Sequence, residues 1–244
     1  MSKDSRYTEV MTPEDRLIVA LDVPDRARAL ELVERLDGAV RWFKVGLELY
    51  LSEGRAMVEE LRARGFNVFL DLKLHDIPNT VAGAVRSVSS SGASLLTLHA
   101  AGGPAMLSAA REAATSLSAP PRLLAVTVLT SMDAAQLAAT GISVEPAEQV
   151  LRLATMAVGA GMDGLVCSPN EVALIRSSPA VNALLVVPGI RPADSATDDQ
   201  SRIATPGDAV RMGADMLVVG RPITRASDPA VAARKILEEL ALVS

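Results

Sequence analysis

Eight short apolar runs recur along the chain, separated by segments in which apolar residues are spaced as on a helix. The runs are too short for helices, are rich in Val, Leu and Ile, and lack strict alternation with polar residues. This pattern is typical of strands that are buried on both faces. The runs cover residues 16–22, 41–46, 66–73, 94–100, 122–129, 163–168, 183–190 and 215–220.

Between the runs, apolar residues three and four positions apart predict helices. The first such stripe predicts a helix that ends at Asp37-Gly38. A last helix is expected to begin near Asp228-Pro229, with Val231 on its buried stripe. The turn from a helix into a strand often needs a positive φ, which favours glycine. Glycines expected in such turns are Gly65, Gly92, Gly164 and Gly213.

Eight strands that alternate with helices in 244 residues predict a (β/α)8 TIM barrel, an α/β fold. A doubly wound open sheet is the competing architecture, but no GxGxxG follows the first strand. We expect one catalytic domain over residues 16–244, preceded by a polar segment over residues 1–15.

Composition narrows the function classes. The net charge is −5 and aromatic residues make up 2% of the chain, whereas nucleic-acid binding usually needs a basic face or aromatic platforms. No run approaches the roughly 18 apolar residues of a membrane span. The single cysteine, Cys167, cannot form an intramolecular disulfide. We therefore expect a soluble, cytoplasmic protein that binds neither nucleic acid nor membrane.

Charged residues gather where three neighbouring strands end. The stretch "DLKLHDIPNT" places Asp71 and Lys73 two apart on one strand, so their side chains are expected to share a face. Lys44 ends the preceding strand and Asp22 the one before it. Barrel enzymes carry their catalytic groups at these strand ends. A structural salt-bridge layer would explain the same residues, but buried charges are costly, which favours a functional site.

The sequence "VVGRPIT" after the last strand predicts a phosphate site. Barrels often bind phosphate with backbone N–H groups after strands 7 and 8. Gly220 would let the backbone approach closely, and Arg221 would supply two N–H donors. An ordinary turn with a solvated arginine is the alternative.

Three further features complete the candidate chemistry. Residues 191–206 are polar and long for a connection in a barrel, so they form either a lid over the ligand or an ordinary surface loop. His75 and His99 lack the spacing of metal ligands, so no metal site is expected. Cys167 has no evident base beside it and is expected to be a buried small side chain.

Taken together, "LDLKLHDIPNT", "FKVG", "LTLHAAGG", "VTVLTSM", "PGIRP" and "VVGRPIT" resemble orotidine 5′-phosphate decarboxylases of the bacterial type. The similarity runs from about Leu17 to the last helix. It implies a cofactor-free and metal-free homodimeric barrel that converts orotidine 5′-monophosphate into UMP and CO2 in pyrimidine biosynthesis.

The resemblance also implies roles for individual residues. The catalytic network would consist of Lys44, Asp71, Lys73 and Asp76, with Lys73 as the proton donor. Asp76 and Thr80 would enter the site of the partner subunit. Substrate-binding positions would be Asp22, Lys44, Thr80, Thr130, Ser131, Pro188, Arg191, Gln200, Gly220 and Arg221. The alternative is a Mg²⁺-dependent sugar-phosphate decarboxylase or aldolase on the same barrel.

Overall fold

The computed structural model describes residues 11–192 and 204–243, and a closed barrel of eight parallel strands forms its centre. Each strand pairs with the next, and the last pairs with the first. Every strand coincides with one of the eight apolar runs, so the predicted (β/α)8 barrel is confirmed. The strands are β1 (Leu17–Leu21), β2 (Trp42–Gly46), β3 (Asn67–Leu74), β4 (Leu95–His99), β5 (Arg122–Val126), β6 (Gly164–Val166), β7 (Leu184–Val187) and β8 (Met216–Val219).

Helices cover the outside of the barrel between successive strands. They are α1 (Pro13–Arg16), α2 (Arg26–Arg35), α3 (Leu47–Glu53), α4 (Arg55–Ala63), α5 (Pro78–Ser89), α6 (Gly103–Thr115), α7 (Ala134–Ala139), α8 (Pro146–Gly159), α9 (Val172–Ser177), α10 (Pro206–Arg211), α11 (Arg221–Thr224) and α12 (Pro229–Ala241). Short 3-10 helices span Ala100–Gly102 and Pro169–Glu171. The division into segments 1–15 and 16–244 stays a prediction, because its boundary falls inside α1 and residues 1–10 lie outside the described range.

The strands bury apolar side chains on both faces, as their lack of alternation predicted. Outward-facing residues pack against the helices in one large cluster. Inward-facing residues fill the barrel in a second, smaller cluster that closes its interior. The inner cluster consists of Ile18, Ala20, Phe69, Leu95, Leu124, Leu184, Val186, Met216 and Val218.

On four adjacent strands, an apolar inward-facing residue is followed, two positions further along the chain, by a polar inward-facing residue. Successive inward positions are two apart, so each polar residue stands directly above an apolar one at the C-terminal mouth. The polar residues therefore form a layer on an apolar floor. The apolar and polar pairs are Ala20 and Asp22, Trp42 and Lys44, Phe69 and Asp71, and Leu95 and Thr97.

Two details of the predicted elements are wrong. Gly164 lies inside β6, and the turn before it uses Gly161, whose φ is 86°. Gly65, Gly92 and Gly213 do have positive φ. On α12, Val231 is 45% exposed, because Ala230, Ala233, Ile236 and Leu240 form the buried stripe instead.

The close packing of β6 between β5 and β7 is expected to favour glycine at position 164. A Cβ there would lie 2.6 Å from Cδ2 of Leu124 and 2.7 Å from the backbone oxygen of Leu184, which cannot move without disturbing β7. We expect Gly164→Ala to lower the free energy of unfolding by about 1–3 kcal/mol, measured by urea denaturation. Gly159→Ala, at the end of α8 with open space around its Cβ, is the control and should not destabilise. Equal unfolding midpoints for the two variants would contradict this.

Candidate active site

Four charged side chains form a continuous chain across the mouth of the barrel. Nζ of Lys44 lies 2.6 Å from Oδ1 of Asp22 and 3.8 Å from Oδ2 of Asp71. Nζ of Lys73 donates to both oxygens of Asp71, at 2.8 Å each. The structure thus brings together the four residues that the sequence analysis placed at neighbouring strand ends, with cations and anions alternating.

The centre of this chain is buried and its ends are more open. Lys44 is 8% exposed and Asp71 is 9% exposed, while the side chains of Lys73 and Asp22 are 30% and 60% exposed. Buried ions are tolerated when they are paired and hydrogen-bonded. Each of the two buried charges here has partners of opposite sign, and the four charges sum to zero.

Gly46 provides the space that the Lys44 ammonium occupies. A Cβ at Gly46 would lie 2.8 Å from Nζ of Lys44 and 3.1 Å from Oδ1 of Asp22. Any larger residue would displace that ion pair. The glycine of the "FKVG" sequence is therefore part of the site, although it contributes no functional group.

The sequence analysis assumed that Lys73 lies on a regular strand, but the strand is irregular at this residue. Its φ is 51°, in the left-handed region that non-glycine residues rarely adopt, and the register of β3 against β4 shifts between Leu70 and Leu74. The side chains of Asp71 and Lys73 nevertheless meet. Functional sites often hold residues in such conformations when surrounding contacts over-determine them.

Thr97 on β4 is a polar residue of the site that the sequence analysis missed. Its hydroxyl accepts a hydrogen bond from the Lys73 N–H and donates one to Oδ1 of Asp71, both at 2.9 Å. It is fully buried. Its place two residues before His99, on the inward face of a strand, was the available signal.

Asp76 and Thr80 lie outside this cluster. Both are exposed, on the connection after β3 and in the first turn of α5, and Oδ1 of Asp76 accepts a hydrogen bond from the neighbouring Ile77 N–H. The structure of one chain does not bring them to the Lys44–Asp71–Lys73 group. Their predicted entry into a partner's site stays a prediction.

Two adjoining cavities open beside the charged chain. The first, of about 420 Å³, is lined by Ala20, Asp22, Lys44, Pro188, Gly189, Arg191, Val218, Gly220, Arg221, Thr224 and Arg225. The second, of about 160 Å³, is lined by Lys44, Phe69, Asp71, Lys73, Val126, Val128, Leu129, Thr130, Val166, Cys167, Pro188 and Val218. Because Lys44, Pro188 and Val218 line both, the cavities form one two-part site with a cationic end and a largely apolar end.

Most of the predicted binding residues line this site. Pro188, Arg191, Gly220 and Arg221 border the first cavity, and Thr130 borders the second. Ser131 is exposed and lines neither of these two cavities as the described residues form them. Gln200 lies outside the described residues.

The first cavity has an arginine that the sequence analysis did not single out. Arg225 lines it together with Arg191 and Arg221, so three arginines border one space. Arg191 is buried, whereas Arg225 is exposed. A methyl group at Gly220 would stand 3.7 Å from Cβ of Ala20 and 3.9 Å from Asp22, which line the same cavity. Because glycine has no such methyl group, the backbone at Gly220 stays accessible to a ligand.

The predicted lid over residues 191–206 lies largely outside the described residues. Its two ends meet at the cavity wall, where the Arg191 N–H donates to the Ala204 carbonyl at 3.0 Å. Whether the segment between them covers a ligand stays a prediction.

Three other titratable side chains lie near the charged group. The rings of His75 and His99 are 5.4 Å apart, and burial, the neighbouring His75 and the Lys73 charge lower the pKa of His99. Burial strongly raises the pKa of the Cys167 thiol, which is therefore neutral at physiological pH. This agrees with its prediction as a buried small side chain.

Among residues 11–192 and 204–243, no three His, Cys, Asp or Glu side chains come together as ligands for one metal ion. In the same part of the chain, no helix has the length and apolarity to cross a membrane.

Most of this chain matches a family model and known relatives. A family model described as "Orotidine 5′-phosphate decarboxylase / HUMPS family" matches residues 15–236. A protein of Anaeromyxobacter sp. (strain K) named orotidine 5′-phosphate decarboxylase is 55% identical over 93% of this chain and 98% of its own. One of the same name from Chromobacterium violaceum is 52% identical over 93% of this chain and 92% of its own.

Solved structures have the same fold. The crystal structure of orotidine 5′-phosphate decarboxylase from Lactobacillus acidophilus superposes with a TM-score of 0.82 at 39% identity, covering 92% of this chain and 99% of that one. A Geobacillus kaustophilus protein described as uncharacterized and conserved superposes with a TM-score of 0.81, also at 39% identity, covering 91% of this chain and 99% of that one.

Proposed function

This chain belongs to the orotidine 5′-phosphate decarboxylase / HUMPS family, and on that premise we propose that it is a carboxy-lyase that converts orotidine 5′-monophosphate into UMP and CO2. The observation that carries the proposal is the alternating chain of Asp22, Lys44, Asp71 and Lys73, set beside a two-part cavity. This reaction would complete the synthesis of a pyrimidine nucleotide.

Lys73 supplies the chemistry that the reaction needs most. When the bond between C6 and the carboxylate breaks, its electron pair stays on C6 and CO2 leaves. A nearby ammonium stabilises that developing negative charge and then transfers a proton to C6. Lys73 has this charge, and its hydrogen bonds to Asp71 fix the position of Nζ. The resulting neutral amine regains a proton from solvent.

The Asp71 carboxylate is proposed to destabilise the bound substrate more than the transition state. In the proposed complex its carboxylate stands close to the carboxylate of the bound substrate, and the two repel each other. The repulsion fades as neutral CO2 forms, so it lowers the barrier relative to the bound substrate. Two ammonium groups, those of Lys44 and Lys73, pair with the Asp71 carboxylate in its buried position.

The two parts of the cavity match the two ends of the nucleotide. The phosphate would lie in the first cavity with Arg221 and the Gly220 backbone, and Asp22 would hold the ribose. The pyrimidine would lie in the second cavity, against apolar walls and Thr130, with C6 facing Lys73. Arg225 would add charge at the phosphate end, which makes it a further candidate binding residue.

We also propose a homodimer in which Asp76 and Thr80 reach the partner's site. Three of the large apolar side chains that this single chain exposes follow β2 and β3, and one of them is next to Asp76 in the chain. They are Leu47, Leu51 and Ile77, which are 48%, 79% and 66% exposed. Burial of such side chains is a common driving force for association, and a dimer would cover them.

The proposed mechanism uses neither cofactor nor metal, because the Lys73 ammonium provides the positive charge that such a group would otherwise supply. The alternative Mg²⁺-dependent sugar-phosphate activity has no support in the names of the relatives described above. A cytoplasmic location, expected from the single cysteine, stays a prediction.

The first experiment is the decarboxylation assay itself, followed by absorbance with a chelator present. We expect rapid conversion of orotidine 5′-monophosphate by the wild-type chain, and a loss of at least about 10³-fold in kcat for Lys73→Ala, because proton donor and stabilising charge are both removed. Lys235→Ala, on the exposed face of α12, is the matched control and should keep full activity. Circular dichroism checks that both variants fold. Normal turnover by a folded Lys73→Ala protein would overturn the mechanism.

The phosphate role of Arg221 can be separated from other effects with a second substrate. We expect Arg221→Met to raise KM for orotidine 5′-monophosphate by about tenfold or more, because a charge-assisted contact is lost. The rate of the slow decarboxylation of orotidine, which has no phosphate, should not change. Arg211→Met, on α10 and absent from the cavity walls, is the control. Equal losses with both substrates would rule out the phosphate contact.

Mixing two inactive variants tests the shared site. In a heterodimer of Lys73→Ala and Asp76→Asn chains, one site has both substitutions and the other has neither. Random subunit exchange should therefore restore about a quarter of the wild-type activity. Each variant alone, treated identically, is the control. If the mixture stays inactive although exchange is demonstrated by mass-tagged subunits, Asp76 does not act across an interface.

A further inference from the structure

The pairing between β3 and β4 contains an irregularity centred on Thr97. Leu70 pairs with Leu96 and Leu74 pairs with Leu98, so residues 71–73 of β3 stand opposite Thr97 alone. Lys73 lies in this stretch with a φ of 51°. Its N–H is bound by the Thr97 hydroxyl, a side-chain group, in place of a backbone carbonyl of β4.

The same hydroxyl also binds the carboxylate of Asp71. A hydroxyl has one hydrogen to donate, an ionised carboxylate can only accept, and a backbone N–H can only donate. The direction of both bonds is therefore fixed: Lys73 N–H donates to Oγ1 of Thr97, which donates to Oδ1 of Asp71. Thr97 is 0% exposed, so solvent water has no access to replace either bond.

We propose that Thr97 is a positioning residue for the decarboxylation, an inference that rests on the proposed function. Through one atom it holds the left-handed backbone of Lys73 and the rotation of the Asp71 carboxylate. Those two elements set the 2.8 Å contacts between Nζ of Lys73 and the carboxylate. Thr97 itself would not touch the substrate, since it lines neither of the two cavities of the site in the described residues.

Loss of the hydroxyl would loosen a geometry that catalysis needs. Oδ2 of Asp71 already lies 3.8 Å from Nζ of Lys44, so a carboxylate that is free to turn has a second cation to move towards. Nζ of Lys73 would then follow the carboxylate or lose one of its two bonds. Displacements of this size, about 1 Å, can lower a rate by about 100-fold.

Thr97→Val is the primary test, because valine has the shape of threonine without the hydroxyl. We expect kcat for orotidine 5′-monophosphate to fall by about 100-fold, while KM changes by less than about threefold, because the binding groups are untouched. Thr97→Ser keeps the hydroxyl and should retain kcat within about fivefold of the wild type. If Thr97→Ser retains kcat, the loss in Thr97→Val comes from the missing hydroxyl and not from the packing of the methyl group.

Thr127→Val is the matched control for a lost buried hydroxyl, directly after β5. Thr127 is also buried, 4% exposed, and its hydroxyl donates to the Val166 carbonyl at 3.2 Å, away from Asp71 and Lys73. Thermal unfolding is measured for every variant, and Thr127→Val should keep its kcat even if it loses as much stability as Thr97→Val. Should Thr97→Val fail to fold, Thr97→Ala removes the same hydroxyl without added bulk and is judged by the same criteria.

The outcomes are distinct for the two proposals. A wild-type chain that does not decarboxylate orotidine 5′-monophosphate overturns the proposed function, and the role of Thr97 with it. An active wild type with an equally active Thr97→Val overturns the role of Thr97 alone. So does an equal loss of kcat in Thr97→Val and Thr97→Ser, or a loss that appears only in KM. A fall in kcat that is confined to Thr97→Val and reversed in Thr97→Ser supports it.

Discussion

The carboxylate of Asp71 is a buried anion, and the arrangement of the barrel mouth follows from the partners that such an anion needs. Lys73 binds both of its oxygens, Thr97 binds one of them, and Lys44 stands 3.8 Å from the other. Lys44 is buried in turn and is neutralised by Asp22, for which Gly46 leaves the space. Because an unpaired buried charge is strongly destabilising, each member of this chain constrains the next.

Two titratable side chains close to this group favour their neutral forms. Burial holds Cys167 as a neutral thiol, and the lowered pKa of His99 favours its neutral ring near physiological pH. The inner apolar cluster, which includes Phe69, closes the barrel below the polar layer. An ammonium in such a setting is screened less than in water, so Lys73 can stabilise a developing anion with little reorganisation.

The fold and most of the site could be predicted from the sequence, because both depend on local patterns. Buried parallel strands appear as apolar runs, and barrel topology brings their ends together, which located Asp22, Lys44, Asp71 and Lys73. The irregular pairing around Lys73 could not be predicted, since it depends on which residue of β4 stands opposite. Thr97 was missed for the same reason. Gly164 was misplaced because a glycine required by a close contact with β7 looks like a turn glycine.

The shape of the site explains how binding at one end can affect chemistry at the other. Lys44, Pro188 and Val218 line both cavities, so a ligand that fills the arginine-bordered cavity contacts the walls of the cavity that holds Lys73. Lys44 also connects Asp22 at the first end to Asp71 at the second. In the proposed function, a phosphate bound at the first end would contribute binding energy that orients the distant ring, and a nucleoside, which lacks the phosphate, would lose rate as well as affinity. Arg191 also lines the cationic end, and its backbone N–H donates a hydrogen bond to the Ala204 carbonyl. A ligand at that end therefore lies beside the point where residues 191 and 204 meet.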